Sequence, residues 1–397
     1  MPMPANEHGL PWCQTDPADL NHRWVHMSRP HIIILGGSGN TGRMIAELLL
    51  QQADVDLTLA GRRLAKVQAV ADELRQKHEN RQISAIQVDA GDLAGLEKAF
   101  ARADFVVVSS STIEHTRFVA EAALKAGIGY FDHQPTSRDK IATLKSLKTR
   151  IIEAGCCFIT EGGVIPGLPA MLVRYLAPRF DRLESAQVAF VMQDDKAPSP
   201  ETLIELKTQW KQYQPLVFKQ GTWQLAEQMV EFDFTESFGT KPCMACYLDE
   251  LESLPKEIAS LREVGFYIGA LASNWFMRWV ARPITSLIPT RSLGFRRLSA
   301  RLLSWGIRFN PPPYLMMIMV EGRGWCNGES VFMRLRLSHP SSYFVTAASS
   351  VACLLQYLSQ DIPPGLWYQA DAVDDERMLS DLQRLGVKVE IETVASH

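Results

Sequence analysis

The sequence predicts an α/β fold in two parts: an N-terminal, Rossmann-type doubly wound parallel sheet and an α+β second domain with a mainly antiparallel sheet. Three observations predict it. Short apolar runs alternate with helix-forming stretches from Ile32 to about Leu176. A strand–glycine–helix unit, HIIILGGSGNTGRMIAELLL, opens that alternation. After Leu183 the rhythm breaks, and longer strand-like runs replace it.

The bulk numbers are compatible with such a protein. The 397 residues are 46% hydrophobic with a formal net charge of -3, which supplies a sizeable core and no general pull toward nucleic acid. Seven scattered cysteines without a signal-peptide pattern ahead of them read as reduced thiols, so a cytoplasmic location is expected. Uncharged apolar runs of ~18 residues, as a membrane span needs, are lacking. Residues 1–27 carry four prolines and no apolar period, and are expected to form a disordered tail; MSRPHIIIL would make a natural start at Met27.

Taken in order, Ile32–Leu35 is a continuous apolar run of the kind a covered parallel strand shows. Gly36, Gly39 and Gly42 follow at three-residue spacing and lead into a helix. There, backbone N–H groups of a loop formed by Gly36, Gly37, Ser38, Gly39, Asn40, Thr41 and Gly42 can grip a pyrophosphate. A bare glycine triplet can also be only a turn, and the arginines of the next element can be a solvated basic helix start, but the two together favour a nucleotide site. The second strand, Val55–Ala60, ends on Gly61, Arg62 and Arg63 where an NAD site places an acid. An acid would repel a 2′-phosphate and an Arg fork would pair with it, so NADP is the expected cofactor. Further strands follow: ISAIQVD to Asp89, DFVVVSSS, IGYFD and CCFIT, each separated by a helix. Ligands lie beyond the carboxyl ends of such strands, which brings Asp89, Ser109–Thr112, Asp132, His133 and Glu161 to the crevice. Each taken alone also fits a strand-end turn or a helix cap.

No Tyr-x-x-x-Lys occurs, so the proton-donor pair usual in short-chain reductases is lacking. Cys243 and Cys246 form a single CxxC without a second pair, which reads as ordinary thiols and no metal site.

LESAQVAFVMQ, MVEFDFTESF, LMMIMVEGRG and ESVFMRLRLS read as strands of the second domain, the last two as a hairpin, and TLIELKTQWKQY as an amphipathic helix. The large sheet is the natural homodimer surface. Val264–Val320 contains seven arginines and no Asp, Glu, Lys or His. In RRLSARLLSWGIRF, Leu298, Leu302, Trp305 and Phe309 share one helical face with Arg297, Arg301 and Arg308 on a flank. Such a helix fits peripheral contact with an anionic membrane, the roof of a lipid-like substrate's tunnel, or an ordinary helical cap whose arginines pair elsewhere. The uncharged run Val264–Met277 has the length of a buried core helix.

LGGSGNTGR, LTLAGRRLAKV, VAEAALKAGIGYFD and EGGVIPGLPAMLVRYL together resemble the saccharopine dehydrogenase-like oxidoreductases, as does the closing stretch from SYFVTAASSVACLLQYL onward. The resemblance implies an NADP-binding domain and a sheet-rich second domain forming the active-site wall. It implies Gly36, Gly39 and Gly42 at the phosphates, Arg62 at the 2′-phosphate, Asp89 near the adenine ribose, and Ser110 and Ser111 on the nicotinamide side. True saccharopine reductases carry a segment of the type Asn-Glu-x-Gly-x-Asp-Pro-Gly-x-Asp-His. Here Glu161, Gly163, Pro166 and Gly167 keep that pattern, while Ile165, Pro169 and Ala170 replace two acids and a histidine. Lost charges at three crevice positions would fit an amino-dicarboxylate poorly, so a less polar small-molecule substrate is expected.

The expected organisation is therefore a tail (1–27), an NADP-binding domain (28–180), a substrate and dimerisation domain (181–340) with its arginine-rich segment at 264–310, and C-terminal helices and a strand completing the fold (341–397). The expected chemistry is hydride transfer, with His133, Asp132 and Glu161 as proton-relay candidates and His115 behind them. The alternative is a redox-inactive NADP-binding module that docks to membrane or partner through the arginine-rich segment.

Overall fold

A computed structural model describes residues 29–193, 214–234, 238–269, 293–359 and 362–395. The expected tail and the helix expected in TLIELKTQWKQY lie outside the described residues.

The first sheet has seven parallel strands. In chain order they are β1 (His31–Leu35), β2 (Asp56–Gly61), β3 (Ile83–Gln87), β4 (Phe105–Val108), β5 (Gly129–Asp132), β6 (Cys157–Thr160) and β15 (Gly365–Tyr368). Their spatial order is β15-β6-β5-β4-β1-β2-β3. Successive side chains of a strand point to opposite faces, and the core follows that alternation. Ile32 and Ile34 of β1, with Phe105 and Val107 of β4, enter one apolar cluster; Ile33 and Leu35, with Val106 and Val108, enter another. Helices α1 (Asn40–Gln52) and α2 (Leu64–Lys77) cover the first face, and α3 (Leu93–Phe100), α4 (Thr116–Ala126) and α5 (Arg138–Glu153) cover the second. Six of the seven strands follow the sequence rhythm; the seventh returns from near the chain's end to pair with β6, Tyr368 beside Thr160.

The second sheet is mixed and mostly antiparallel. It comprises β7 (Arg182–Gln193), β8 (Leu216–Lys219), β9 (Thr222–Leu225), β10 (Val230–Asp233), β11 (Thr240–Ala245), β12 (Glu263–Gly269), β13 (Leu315–Cys326), β14 (Glu329–His339) and β16 (Lys388–Ala395). The main path runs β10-β11-β12-β7-β13-β14-β16, with β12 and β7 parallel and the other neighbours antiparallel. The expected β13–β14 hairpin turns through Asn327 and Gly328, both at positive φ, as a tight hairpin loop requires.

One expectation is corrected here. Val264–Gly269, read as the start of a core helix, belongs to β12, and its partners are Ala186–Phe190 of β7 and, at Val264, Phe218 of β8. A short uncharged apolar run fits strand and helix alike, and the parallel neighbour decides.

Helices α6 (Pro169–Leu176), α8 (Ser342–Leu358) and α9 (Asp375–Arg384) pack between the sheets, and residues of both sheets share their cluster. Helix α7 (Leu293–Ile307) carries Arg296, Arg297 and Arg301 of the arginine-rich segment, and Arg308 follows it. It buries Leu303 and Ile307, while Trp305 is 59%, Phe309 just beyond it 45% and Leu298 37% exposed. The face shared by Leu298, Leu302, Trp305 and Phe309 is thus the outward one. Arg301 and Arg308 are exposed beside it; Arg278, Arg282 and Arg291 lie outside the described residues.

Candidate active site

The site is built on carboxyl ends of the parallel strands. At the end of β1, Gly36 takes φ +84°, and a Cβ there would stand 2.6 Å from the Ser109 carbonyl oxygen. A Cβ on Gly42 would stand 2.4 Å from the Gly36 oxygen. These two glycines let loop, helix and β4 end close on one another. Gly39 differs, since its added Cβ would meet only the Gly36 oxygen, at 3.2 Å. Its open side leaves room for a ligand against the backbone. Helix α1 begins there with no side-chain cap and no acid in its first turn, so its positive end and free N–H groups suit an anion. The glycines therefore turn the chain and leave the start of α1 open on one side.

Arg62 and Arg63, exposed just beyond β2, line a cleft with Gly36, Ser38, Val88 and Ala90. Neither arginine makes an ion pair among the described residues. Ser110 and Ser111 line the same cleft. Asp89 is exposed and accepts from the Gly91 N–H at 3.0 Å; its flanking residues, not its carboxylate, line the cleft. His115 also belongs to this end, its ring 3.2 Å from where a Gly91 Cβ would be.

At the end of β5, Asp132 is fully buried and accepts four hydrogen bonds. Lys140 Nζ (2.9 Å) and the Gln134 N–H (3.2 Å) reach Oδ1; the Tyr130 (3.0 Å) and Thr160 (2.7 Å) hydroxyls reach Oδ2. Lys140 is equally buried and also donates to the Gln134 carbonyl at 3.0 Å. Asp132 therefore fixes the β5–α5 loop. Lys140 escaped the sequence reading, although its position was legible: it lies on the buried stripe of α5 with Ile141, Leu144, Leu147 and Ile151.

That loop carries the groups facing the crevice. His133 is hydrogen-bonded through Nε2 to Ser109 Oγ at 2.8 Å. Desolvation pushes its pKa down to about 4, with nearby Asp132 opposing and Lys140 adding, so the ring is neutral at physiological pH. Gln134 donates to the Ser110 carbonyl at 2.7 Å.

Beyond β6, Glu161 takes φ +55° and is fully buried, and neither carboxyl oxygen has a hydrogen-bond partner among the described residues. Burial pushes its pKa up to about 7, against the opposing pull of Lys140 and Thr136. The loop it opens is clamped from afar. Gly163 exchanges hydrogen bonds with Gln369 (3.0 and 3.1 Å), and Ser349 donates to the Gly163 carbonyl at 2.7 Å. The Gly167 N–H donates to Glu250 Oε2 at 3.1 Å, and burial holds the Glu250 carboxyl well above the usual range. Of the three positions that depart from the saccharopine reductase pattern, Pro169 and Ala170 are buried in α6, and Ile165 alone is partly exposed.

A parallel sheet with helices on both faces and a second, mostly antiparallel sheet packed against it through shared helices is a Rossmann-like architecture. Residues 32–155 match the model of the saccharopine dehydrogenase NADP-binding domain. The NADP(+)-dependent, L-glutamate-forming saccharopine dehydrogenase of Saccharomyces cerevisiae is 26% identical over 169 residues, a match covering 43% of this chain and 35% of the relative. A structure of the apo, L-Glu-forming saccharopine dehydrogenase of the same yeast superimposes with a TM-score of 0.66 at 15% identity, covering 92% of this chain and 100% of that one. The first sheet is thus similar to a saccharopine dehydrogenase NADP-binding domain over residues 32–155, and the match spans 35% of the yeast relative's length.

Proposed function

We propose that this protein is an NADP-dependent oxidoreductase that moves hydride between nicotinamide C4 and a carbonyl, imine or activated C=C bond of a small molecule other than saccharopine. The observation that carries the proposal is the continuity of the strand-end row. Along the adjacent strands β2, β1, β4, β5 and β6 it runs from Arg62 and Arg63, without an ion pair among the described residues, over the Gly36–Gly42 loop, to His133 and Glu161. NADP, when bound, supplies the hydride. Gly39 and the α1 start hold the pyrophosphate, Arg62 and Arg63 the 2′-phosphate, and Ser110 and Ser111 the adjoining wall. Neutral His133 orients through Ser109; it is not the acid at physiological pH. Glu161, protonated up to about pH 7, is the proton source. Asp132 acts by positioning His133 and Gln134.

The outward apolar face of α7 with Arg301 and Arg308 supports a second reading, a cofactor-binding module that docks on an anionic membrane. No helix of the described residues is long and apolar enough to cross a membrane. NADPH consumption across a panel of ketones, imines and enones separates the readings. Turnover that falls at least about ten-fold in Glu161→Gln is expected, as removal of a general acid typically costs more than that. If no compound is turned over and the protein pellets with phosphatidylserine vesicles, but not as the Arg296→Ser/Arg297→Ser/Arg301→Ser variant, the docking module replaces the enzyme.

A further inference from the structure

Buried polar groups in folded proteins are normally hydrogen-bonded, and each exception calls for a cause. Here several exceptions converge on one place. Both oxygens of Glu161, Thr136 Oγ1, Tyr368 Oη, Gln134 Oε1 and Glu250 Oε1 are all buried without a partner among the described residues. All but Glu250, which reaches the loop after β6 through Gly167, come from the ends of three strands adjacent in space: Gln134 and Thr136 follow β5, Glu161 follows β6, and Tyr368 ends β15. Thr136 and Tyr368 are themselves partly exposed, yet their hydroxyl oxygens are turned inward, out of solvent. The Thr136 hydroxyl stands near enough to the Glu161 carboxyl to favour its ionised form although no formed hydrogen bond joins them, and the carboxylate in turn disfavours a Tyr368 phenolate.

We propose that Tyr368 and Thr136 are the hydroxyls through which Glu161 exchanges a proton with the reacting group, Tyr368 being the one that touches substrate. The proposal rests on the oxidoreductase reading and adds to it a residue from the C-terminal strand. In the reducing direction, as hydride reaches a carbonyl carbon, the C=O π pair passes to the oxygen. That oxygen takes the Tyr368 proton, and the phenolic oxygen takes the proton of Glu161. The carboxylate left behind is reprotonated from water by way of Thr136. Burial and the neighbouring Asp249, Glu161, Asp371 and Glu252 disfavour a phenolate, so Tyr368 passes its proton in concert rather than holding a charge. The charged groups around Glu161 are Lys140, Asp132, Asp249 and Glu250; Lys140 is already held by Asp132 and does not neutralise it directly.

Carboxyl ¹³C NMR of the full chain tests this without a known substrate, the Glu161 resonance being the one that Glu161→Gln removes. A midpoint near 7 is expected in wild type. Losing the Thr136 hydroxyl, which favours the ionised form, should raise it by about half a pH unit or more in Thr136→Val, while Thr136→Ser keeps it, and the relay requires a like rise in Tyr368→Phe. A wild-type midpoint in the ordinary carboxylate range, or one unmoved in both variants, overturns the relay. NADPH titration of the same samples keeps the two ideas apart: failure of the wild type to bind NADPH sinks the oxidoreductase reading whatever the carboxyl does.

Discussion

Lys140→Met should cost about 3–5 kcal/mol of folding stability, because it strands the Asp132 carboxylate in the interior without its cation. Both side chains are fully buried and 2.9 Å apart, and the Tyr130 and Thr160 hydroxyls cannot replace a positive charge. The double variant Lys140→Met/Asp132→Asn should recover most of the loss, since a neutral amide beside an apolar side chain carries no uncompensated charge. Urea unfolding of the three variants measures this. A loss under about 1 kcal/mol in the single variant would place the pair among weak surface bridges and contradict the burial. The loop held by this pair carries His133 and Gln134 to the Ser109 and Ser110 wall. Nucleotide affinity should therefore fall along with stability.

Glu161→Gln should act in the opposite direction, and only at high pH. The carboxyl has its pKa raised from 4.5 to about 7 in the folded chain. Its contribution to stability is therefore present below the unfolded value and lost as pH rises through the folded one. Over that window the loss amounts to about 3 kcal/mol at ~1.4 kcal/mol per unit. The glutamine variant should match wild type near pH 5 and exceed it by about 1–3 kcal/mol at pH 8. His133 has the opposite dependence. Its pKa, lowered from 6.5 to about 4, makes its contribution vanish as pH falls through that range, so the comparison is made between variant and wild type at each pH. Equal stabilities at pH 8 would mean that the carboxyl finds a partner the structure does not show.

Much of this was legible in the sequence because it is local. Alternating runs of four to six residues gave the first six parallel strands, and the glycine spacing gave the loop, since period and turn chemistry act over a few residues. The place of Arg62 at the cleft was legible because ligands of such sheets lie beyond the strands' carboxyl ends. What stayed hidden depends on distant chain segments. Nothing near Tyr368 says that GLWY pairs with Cys157–Thr160, roughly 200 residues earlier. Glu250 and Gln369 likewise become site residues only when the loop after β6 meets them. The surroundings of Asp132 stayed hidden for a related reason: its four hydrogen-bond donors, one of them Lys140, come from β5, the loop after it, α5 and β6. The exposed apolar face of α7 could be read as a face from its spacing, but which way it points is set by Leu303 and Ile307 packing inward.

The central claim, that this strand-end row holds NADP with Arg62 on its 2′-phosphate, is tested most directly by fluorescence titration with NADPH and NADH on wild type and Arg62→Ala. Wild type should bind NADPH more tightly. Loss of one charge-assisted contact costs about 1.5–3 kcal/mol, so Arg62→Ala should weaken NADPH roughly ten-fold or more and leave NADH nearly unchanged. Equal weakening of both nucleotides, or binding of neither by the wild type, would contradict the account.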